Sequence, residues 1–498
     1  MDEMEGKMAE KKRRIIKQIF KWLGLGLLVA LIMGALIYDA PWKVLALLLI
    51  ILAACTILPK PARKWFWLSV AAVVVVLIIW VFLPDVNGGW RPYTFDEEFA
   101  ALQAKYAIPD NENAALLYSK LFETLDTDSN APEFFNSAKI TSTDGPWLSK
   151  DHPETAEWLK GHQKTIDTLL EISRIEKCSF PIVATLIDPE YMKYGPKMRR
   201  CAFLLLSAAN NDMAEDRTDA GLEKYLCIIQ LSKHIHQQHA LVDLMVGFAV
   251  EGLAFKQLKR FMIEGQPSKE QLQLMANSLK DLENNWCSDF NRRLDYEKLL
   301  FKNIISLFYE INRDREGKVR LSRNPTATFR ALFPQETQPP PTFHGHRKLT
   351  KASVIVGWLF WPPKPHTVSK AIDETYEKYY AMADPNFDWS KKPPEVQPQL
   401  KLNFRYIIEF LTNMSGQAHS SIHEIYLRHL AGRRGSRLLA AISQYKIENN
   451  AWPANLDAVK SLAPAEAFID PVGGKQFEYQ ISGNRFFLYG ETVNIWPK

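Results

Sequence analysis

Residues 198–261 read MRRCAFLLLSAANNDMAEDRTDAGLEKYLCIIQLSKHIHQQHALVDLMVGFAVEGLAFKQLKRF. Apolar residues recur here at a spacing of three and four, the mark of helices that bury one face. The pattern predicts one helix from Met198 to about Asn211 and a second from about Thr218 to Ile235, with Leu222, Tyr225, Leu226 and Ile229 inward. A third runs from Leu241 to Phe261 with Leu241, Leu244, Met245, Phe248, Gly252 and Phe255 on one face. The short connections imply antiparallel neighbours. The block therefore predicts a mainly α protein of helical-hairpin type. No fixed period is present, which argues against a solenoid.

The same reading extends on both sides. Ala114, Leu117, Leu121 and Leu125 predict a helix capped at Asp110, and His152-Pro153-Glu154 opens another with Trp158, His162, Ile166, Leu169 and Leu170 as its stripe. Downstream, Gly265-Gln266-Pro267 ends the block and Ser268-Lys269-Glu270-Gln271 has the form of a capping box. A helix from Asp289 to about Asn312 follows. Residues 313–401 read as a Pro-rich linker carrying the apolar segment Ser353–Trp361. A long helix is expected from Leu402 to Glu448, with a break near Gly416 or Gly432, and then a β-hairpin over Gln476–Ile481 and Arg485–Tyr489.

Towards the N-terminus three apolar runs, residues 22–38, 44–58 and 65–83, follow one another without an internal charge. A helix that crosses a bilayer needs about 20 apolar residues, so three transmembrane helices are expected over 22–84. Lys and Arg concentrate in the 1–21 tail and in the Pro59–Lys64 loop. The positive-inside rule then places the tail in the cytoplasm and everything after Pro84 outside it. The expectation is a multi-pass protein of the bacterial inner membrane, with an ectodomain over 85–312 and a C-terminal region over 402–498.

The basic excess behind the net charge of +5 lies in this anchor. Residues 1–84 hold 11 Lys/Arg and 5 Asp/Glu, leaving 50 and 51 for the remainder. The basic excess is a topology signal, and no nucleic-acid partner is expected. Besides Cys55, the four cysteines Cys178, Cys201, Cys227 and Cys287 are open to either disulfide pairing or packing as free thiols. No Cys-x-x-Cys occurs.

A resemblance enters at the C-terminus. Tyr445, Asn449, Trp452, Pro453, Asp470, Pro471, Gly473, Tyr479 and Tyr489 lie in RLLAAISQYKIENNAWPANLDAV and DPVGGKQFEYQISGNRFFLYG. This stretch resembles the C-terminal module of type II secretion major pseudopilins, and so implies a small α+β fold in which a long helix leads into a hairpin. A calcium role for Asp470–Gly474 is implied by that resemblance alone. The chain lacks a prepilin-type N-terminus feeding the helix, so assembly into a pilus is not implied. The whole layout is similar to planctomycete-type membrane-anchored envelope proteins, a resemblance that implies no particular activity.

Gly-rich phosphate loops, Gly-x-Ser-x-Gly and His-Glu-x-x-His are absent from the sequence. Two histidine groups stand out. His419 and His423 are four apart on a helix and share a face, which suits two metal ligands but leaves the remaining ligands unfilled. In Lys233–His239, a continued helix would bring His236, His239 and Asp243 to one face as two nitrogens and a carboxylate. A surface turn is the competing reading, and no cofactor is expected. The reading is a non-enzymatic scaffold or interaction protein with membrane, envelope or secretion partners. The alternative is a metal-dependent envelope hydrolase using a His cluster.

Overall fold

A computed structural model describes residues 90–125, 131–136, 141–182, 194–280, 286–312, 318–321, 364–384, 387, 402–491 and 493–497. The chain divides into two compact units. One comprises Met1–Thr94, Lys302–Glu374 and Gln397–Leu411, and the other Phe95–Phe301, Thr375–Val396 and Thr412–Lys498.

The helices are α1 (Asp96–Lys105), α2 (Ala114–Thr124), α3 (Pro153–Gly161), α4 (Gln163–Ile172), α5 (Tyr194–Ala214), α6 (Thr218–His236), α7 (Leu241–Glu264), α8 (Lys269–Lys280), α9 (Trp286–Phe308), α10 (Pro365–Tyr380) and α11 (Leu402–Asn449). The strands are β1 (Trp90–Pro92), β2 (Tyr309–Asn312), β3 (Lys318–Leu321), β4 (Glu478–Ser482), β5 (Arg485–Tyr489) and β6 (Asn494–Trp496).

In the first unit β1, β2 and β3 form an antiparallel sheet, with Trp90 opposite Asn312 and Tyr309 opposite Leu321. The helix expected to reach Asn312 stops at Phe308, and the last residues turn into β2. Tyr309, Ile311 and the β-branched Val319 pair across strands there, a setting that favours β over helix.

In the second unit α5, α6 and α7 run up, down and up. Helix α5 buries Cys201, Ala202, Leu204, Leu205 and Leu206 almost all round, as a central helix does. The α5–α6 hairpin is closed by Asp212, which accepts from Arg217 Nε at 2.7 Å and Lys224 Nζ at 2.6 Å. Trp147 Nε1 donates to Ser207 O at 3.2 Å and pins the preceding loop onto α5. The expected helix after His152 is two helices that break at His162. The expected cap at Asp110 lies at Asn113, whose side chain accepts from Ala115 N at 3.1 Å. Asp110 starts a 3-10 turn just before it. The capping box is present and reciprocal: Gln271 N donates to Ser268 Oγ at 3.2 Å and Ser268 N to Gln271 Oε1 at 2.9 Å.

Helix α11 is continuous through Gly416 and Gly432. Asn450, at φ 53°, turns the chain out of it, and β4, β5 and β6 form an antiparallel sheet that includes the expected hairpin and a third strand. Phe486 and Leu488 alternate into the core while Phe487 is exposed. The sheet closes on α11 at Gly435, where an added Cβ would lie 2.5 Å from Ile495 Cγ1. Gly435→Ala is expected to cost about 1–3 kcal/mol as overpacking. Hydrogen exchange should speed up in β6 with α5–α7 unchanged, and unaltered β6 protection would refute this contact.

The expectation of three transmembrane helices, and of a multi-pass inner-membrane placement, is corrected. Among the described residues no helix is long and apolar enough to cross a membrane. Even α7, the most apolar long helix of the block, carries Asp243, Glu251, Lys256, Lys259 and Arg260, whose charges oppose burial in hydrocarbon. The runs at 22–38, 44–58 and 65–83 lie outside the described residues, as does Ser353–Trp361, and no membrane assignment is carried further.

Candidate functional site

Glu251 interrupts the apolar pattern of α7 and is fully buried. A buried carboxylate needs a charged, hydrogen-bonded partner. Arg433 of α11 supplies it from 182 residues away, donating from Nε to Oε1 at 2.8 Å and from a terminal nitrogen to Oε2 at 2.6 Å. His236, the last residue of α6, donates from Nε2 to Oε2 at 3.2 Å. His429 Nδ1 stands 3.7 Å from Oε1. Phe248 lies between the two imidazoles, 4.8 Å from His236 and 4.5 Å from His429. Gly247 leaves room for the His236 ring, since a Cβ there would lie 2.6 Å from its Cε1.

The electrostatics follow from this packing. Burial pushes the Glu251 carboxyl up, but the Arg433 charge, the hydrogen bonds from His236 and Arg433 and the nearby His429 ring outweigh it and hold the group well below the usual carboxylate range. Burial pulls His236 down to about 4 despite Glu251, so the ring is neutral near pH 7. Burial also lifts Asp243 to about 6, against the pull of Arg293. The cluster is thus an ionised Glu–Arg pair flanked by a neutral imidazole. The guanidinium covers both carboxylate oxygens, the place a cation would otherwise take.

The first histidine group separates in the fold. His419 Nε2 donates to Glu297 Oε2 at 2.8 Å, and its ring meets Phe290 and Tyr379 edge-on at 5.2 and 5.0 Å. His423 packs against Trp286 at 5.0 Å and Tyr426 at 6.2 Å. The second group separates too: His236 turns to Glu251, while the His239 ring lies tilted against Tyr106 at 5.1 Å. Among the described residues no group of three or more His, Cys, Asp or Glu is arranged to hold a metal ion. Asp470 is also occupied: Oδ1 accepts from Val472 N at 3.0 Å and Oδ2 from Glu491 N at 2.7 Å. Its carboxylate braces the turn. Cys178, Cys201, Cys227 and Cys287 are free thiols.

The Lys233–His239 run leaves α6 at His236 and turns through Gln237–His239, so the turn reading holds for its end, but most of the run is buried and not on the surface, and it has a role the sequence did not show. It grips the extended segment Ile175–Phe180. Gln238 donates to Cys178 O at 2.9 Å and accepts from Phe180 N at 3.0 Å. Gln237 accepts from Cys178 N at 2.6 Å and donates to Glu176 O at 3.0 Å. His234 Nε2 donates to Ile175 O at 2.7 Å while its Nδ1 accepts from Tyr118 at 3.0 Å. Side-chain amides here satisfy backbone groups that a neighbouring strand would normally satisfy. Gln238→Ala strands buried donors and acceptors, at about 1–3 kcal/mol for each unsatisfied group. Cys178, fully buried, should then react with a thiol reagent well before Cys201 and Cys227 do; equal reactivity of all three would refute the clamp.

The chain matches no family model, no curated protein and no solved structure. Glu251, Arg433 and His429 escaped the sequence reading, although one signal was available: a lone carboxylate between Val250 and Gly252 on an apolar helix demands a partner.

Proposed function

We propose that the protein is a non-enzymatic scaffold that presents a rigid helical body and its C-terminal module to a protein partner. The observation that supports this is how the charged residues of Gly432–Arg437 are used. Arg433 ties α11 to α7 through Glu251, Arg434 donates to Ile469 O at 3.1 Å, and Arg437 reaches Glu466 at 3.7 Å. One helical segment thereby joins the helical core to the C-terminal sheet. A general acid or base must reach a substrate proton, whereas His236, Glu251 and Arg433 are at most 2% exposed and bonded to one another. The pseudopilin resemblance adds support for a protein as the partner class. The metal-dependent hydrolase finds no supporting arrangement among the described residues.

The test is crosslinking and affinity capture of the full-length chain through a tag after Lys498. It is repeated with an Arg434→Gln, Arg437→Gln double variant that loosens the module. One protein should be recovered in stoichiometric amount from the native chain and lost from the variant. A stoichiometric transition metal in the purified protein, abolished by His419→Ala with His423→Ala, would overturn the scaffold reading.

A further inference from the structure

A second buried corner holds polar groups that the scaffold does not use. His239 lies in the α6–α7 connection at 5% exposure, and neither ring nitrogen has a hydrogen-bond partner. Its ring faces Tyr106 at 5.1 Å and Tyr296 at 6.1 Å. The Arg292 guanidinium covers the same Tyr106 ring at 5.3 Å. Arg292 donates to Gln237 O at 2.9 Å and Arg293 to His236 O at 2.5 Å, so both heads converge on the residues just before His239. Arg293 is 1% exposed, and its other hydrogen bond goes to Asp289 O at 2.7 Å. The Nε of each arginine has no partner.

The carboxylates around this corner compensate it only in part. Asp295 is engaged by Lys105 at 2.7 Å, Tyr106 at 3.0 Å and Tyr380 at 2.5 Å. Asp289 stands 3.8 Å from Arg292, and Asp243 is the remaining acid coupled to Arg293. Burial, and after it the charges of Arg292 and Arg293, push His239 down to about 3. The unengaged groups are thus two guanidinium N–H donors and an imidazole, beside two phenol rings. Charge-assisted donors of this geometry select carboxylate and phosphate oxygens. Arg292, whose side chain is 24% exposed, is the member of the corner that reaches the surface.

We propose that the corner formed by Tyr106, His239, Arg292 and Arg293 binds a small oxyanion, a carboxylate or a phosphate. This goes beyond the scaffold reading and stands without it. The test is isothermal titration of the full-length chain with sodium phosphate and, separately, sodium acetate, with ionic strength held constant by chloride. One saturable site is expected for at least one anion: phosphate alone assigns a phosphate group, acetate alone a carboxylate. Arg292→Gln, Arg292→Lys and His239→Phe should each weaken it about tenfold or more, the loss expected for one charge-assisted hydrogen bond. Arg292→Lys keeps the charge and removes the Nε donor, so it remains informative if the other variants fold poorly. Lys164→Gln, exposed on α4, should leave binding unchanged. The absence of a saturable isotherm with both anions, leaving a corner that holds water only, would overturn the proposal. So would equal binding in the three site variants.

Discussion

Arg433→Met is expected to lower folding stability by about 3–5 kcal/mol, because it leaves Glu251 buried without its counter-charge. The loss comes less from the attraction itself than from the stranded carboxylate. Glu251 has no exposure, and α7 and α11 offer it no route to water. His236 remains beside it, but its neutral imidazole supplies a hydrogen bond and no charge. The double variant Glu251→Met, Arg433→Met should recover most of the loss, since well-packed apolar replacements of a buried pair are often neutral or stabilising. Urea unfolding of both variants, followed by tryptophan fluorescence, measures the effect. A loss below about 1 kcal/mol in the single variant would match a solvent-exposed pair and remove the cluster from its role. A double variant as unstable as the single one would show that the site depends on the specific ionic geometry.

The same pair shows what could be read from the sequence. Periodicity located α5, α6 and α7 and the hairpin of the C-terminal sheet, because burial of one face leaves a repeating local trace. The reciprocal Ser268–Gln271 cap was legible for the same reason: its partners are three residues apart. Contacts between distant residues leave no such trace. Nothing local in Gly432–Arg437 names Glu251, 182 positions earlier, as the partner of Arg433. The two histidine pairs were singled out by helical spacing, yet spacing fixes only which face a ring leaves from. Glu297 and the aromatic rings around His419 decided where that ring is held. In Lys233–His239 the polar composition suggested solvent, whereas the run's amides and imidazole are used to satisfy the buried backbone of Ile175–Phe180.

Stability is also expected to fall steeply between pH 6.5 and pH 4, and the histidines set the sign. Burial is the main cause that holds His234 and His236 down at about 4 and His239 at about 3. An unfolded imidazole titrates near 6.5. In that window the unfolded chain binds more protons than the folded one, so stability rises with pH. The stability these neutral rings contribute is complete above about pH 6.5 and is lost as the pH falls toward their folded values. At pH 5 each of the three rings costs roughly 2 kcal/mol relative to pH 7. Asp243 acts in the opposite sense. Its folded value of about 6 lies above that of a free carboxyl, so it returns roughly 1 kcal/mol as the pH drops to 5. Glu251 is held low, so its contribution survives to pH 5 and is lost only on stronger acidification. The sum over His234, His236, His239 and Asp243 at pH 5, a loss of about 4–5 kcal/mol, is a large share of the 5–15 kcal/mol typical of a folded domain. His423, lowered to about 4 by burial, acts in the same sense. Urea midpoints at pH 7.5, 6 and 5 would record it, and His236→Gln should flatten the slope by about one proton's worth. A midpoint that does not move between pH 7.5 and 5 would mean that these rings reach solvent in the folded state, and the buried cluster would have to be abandoned.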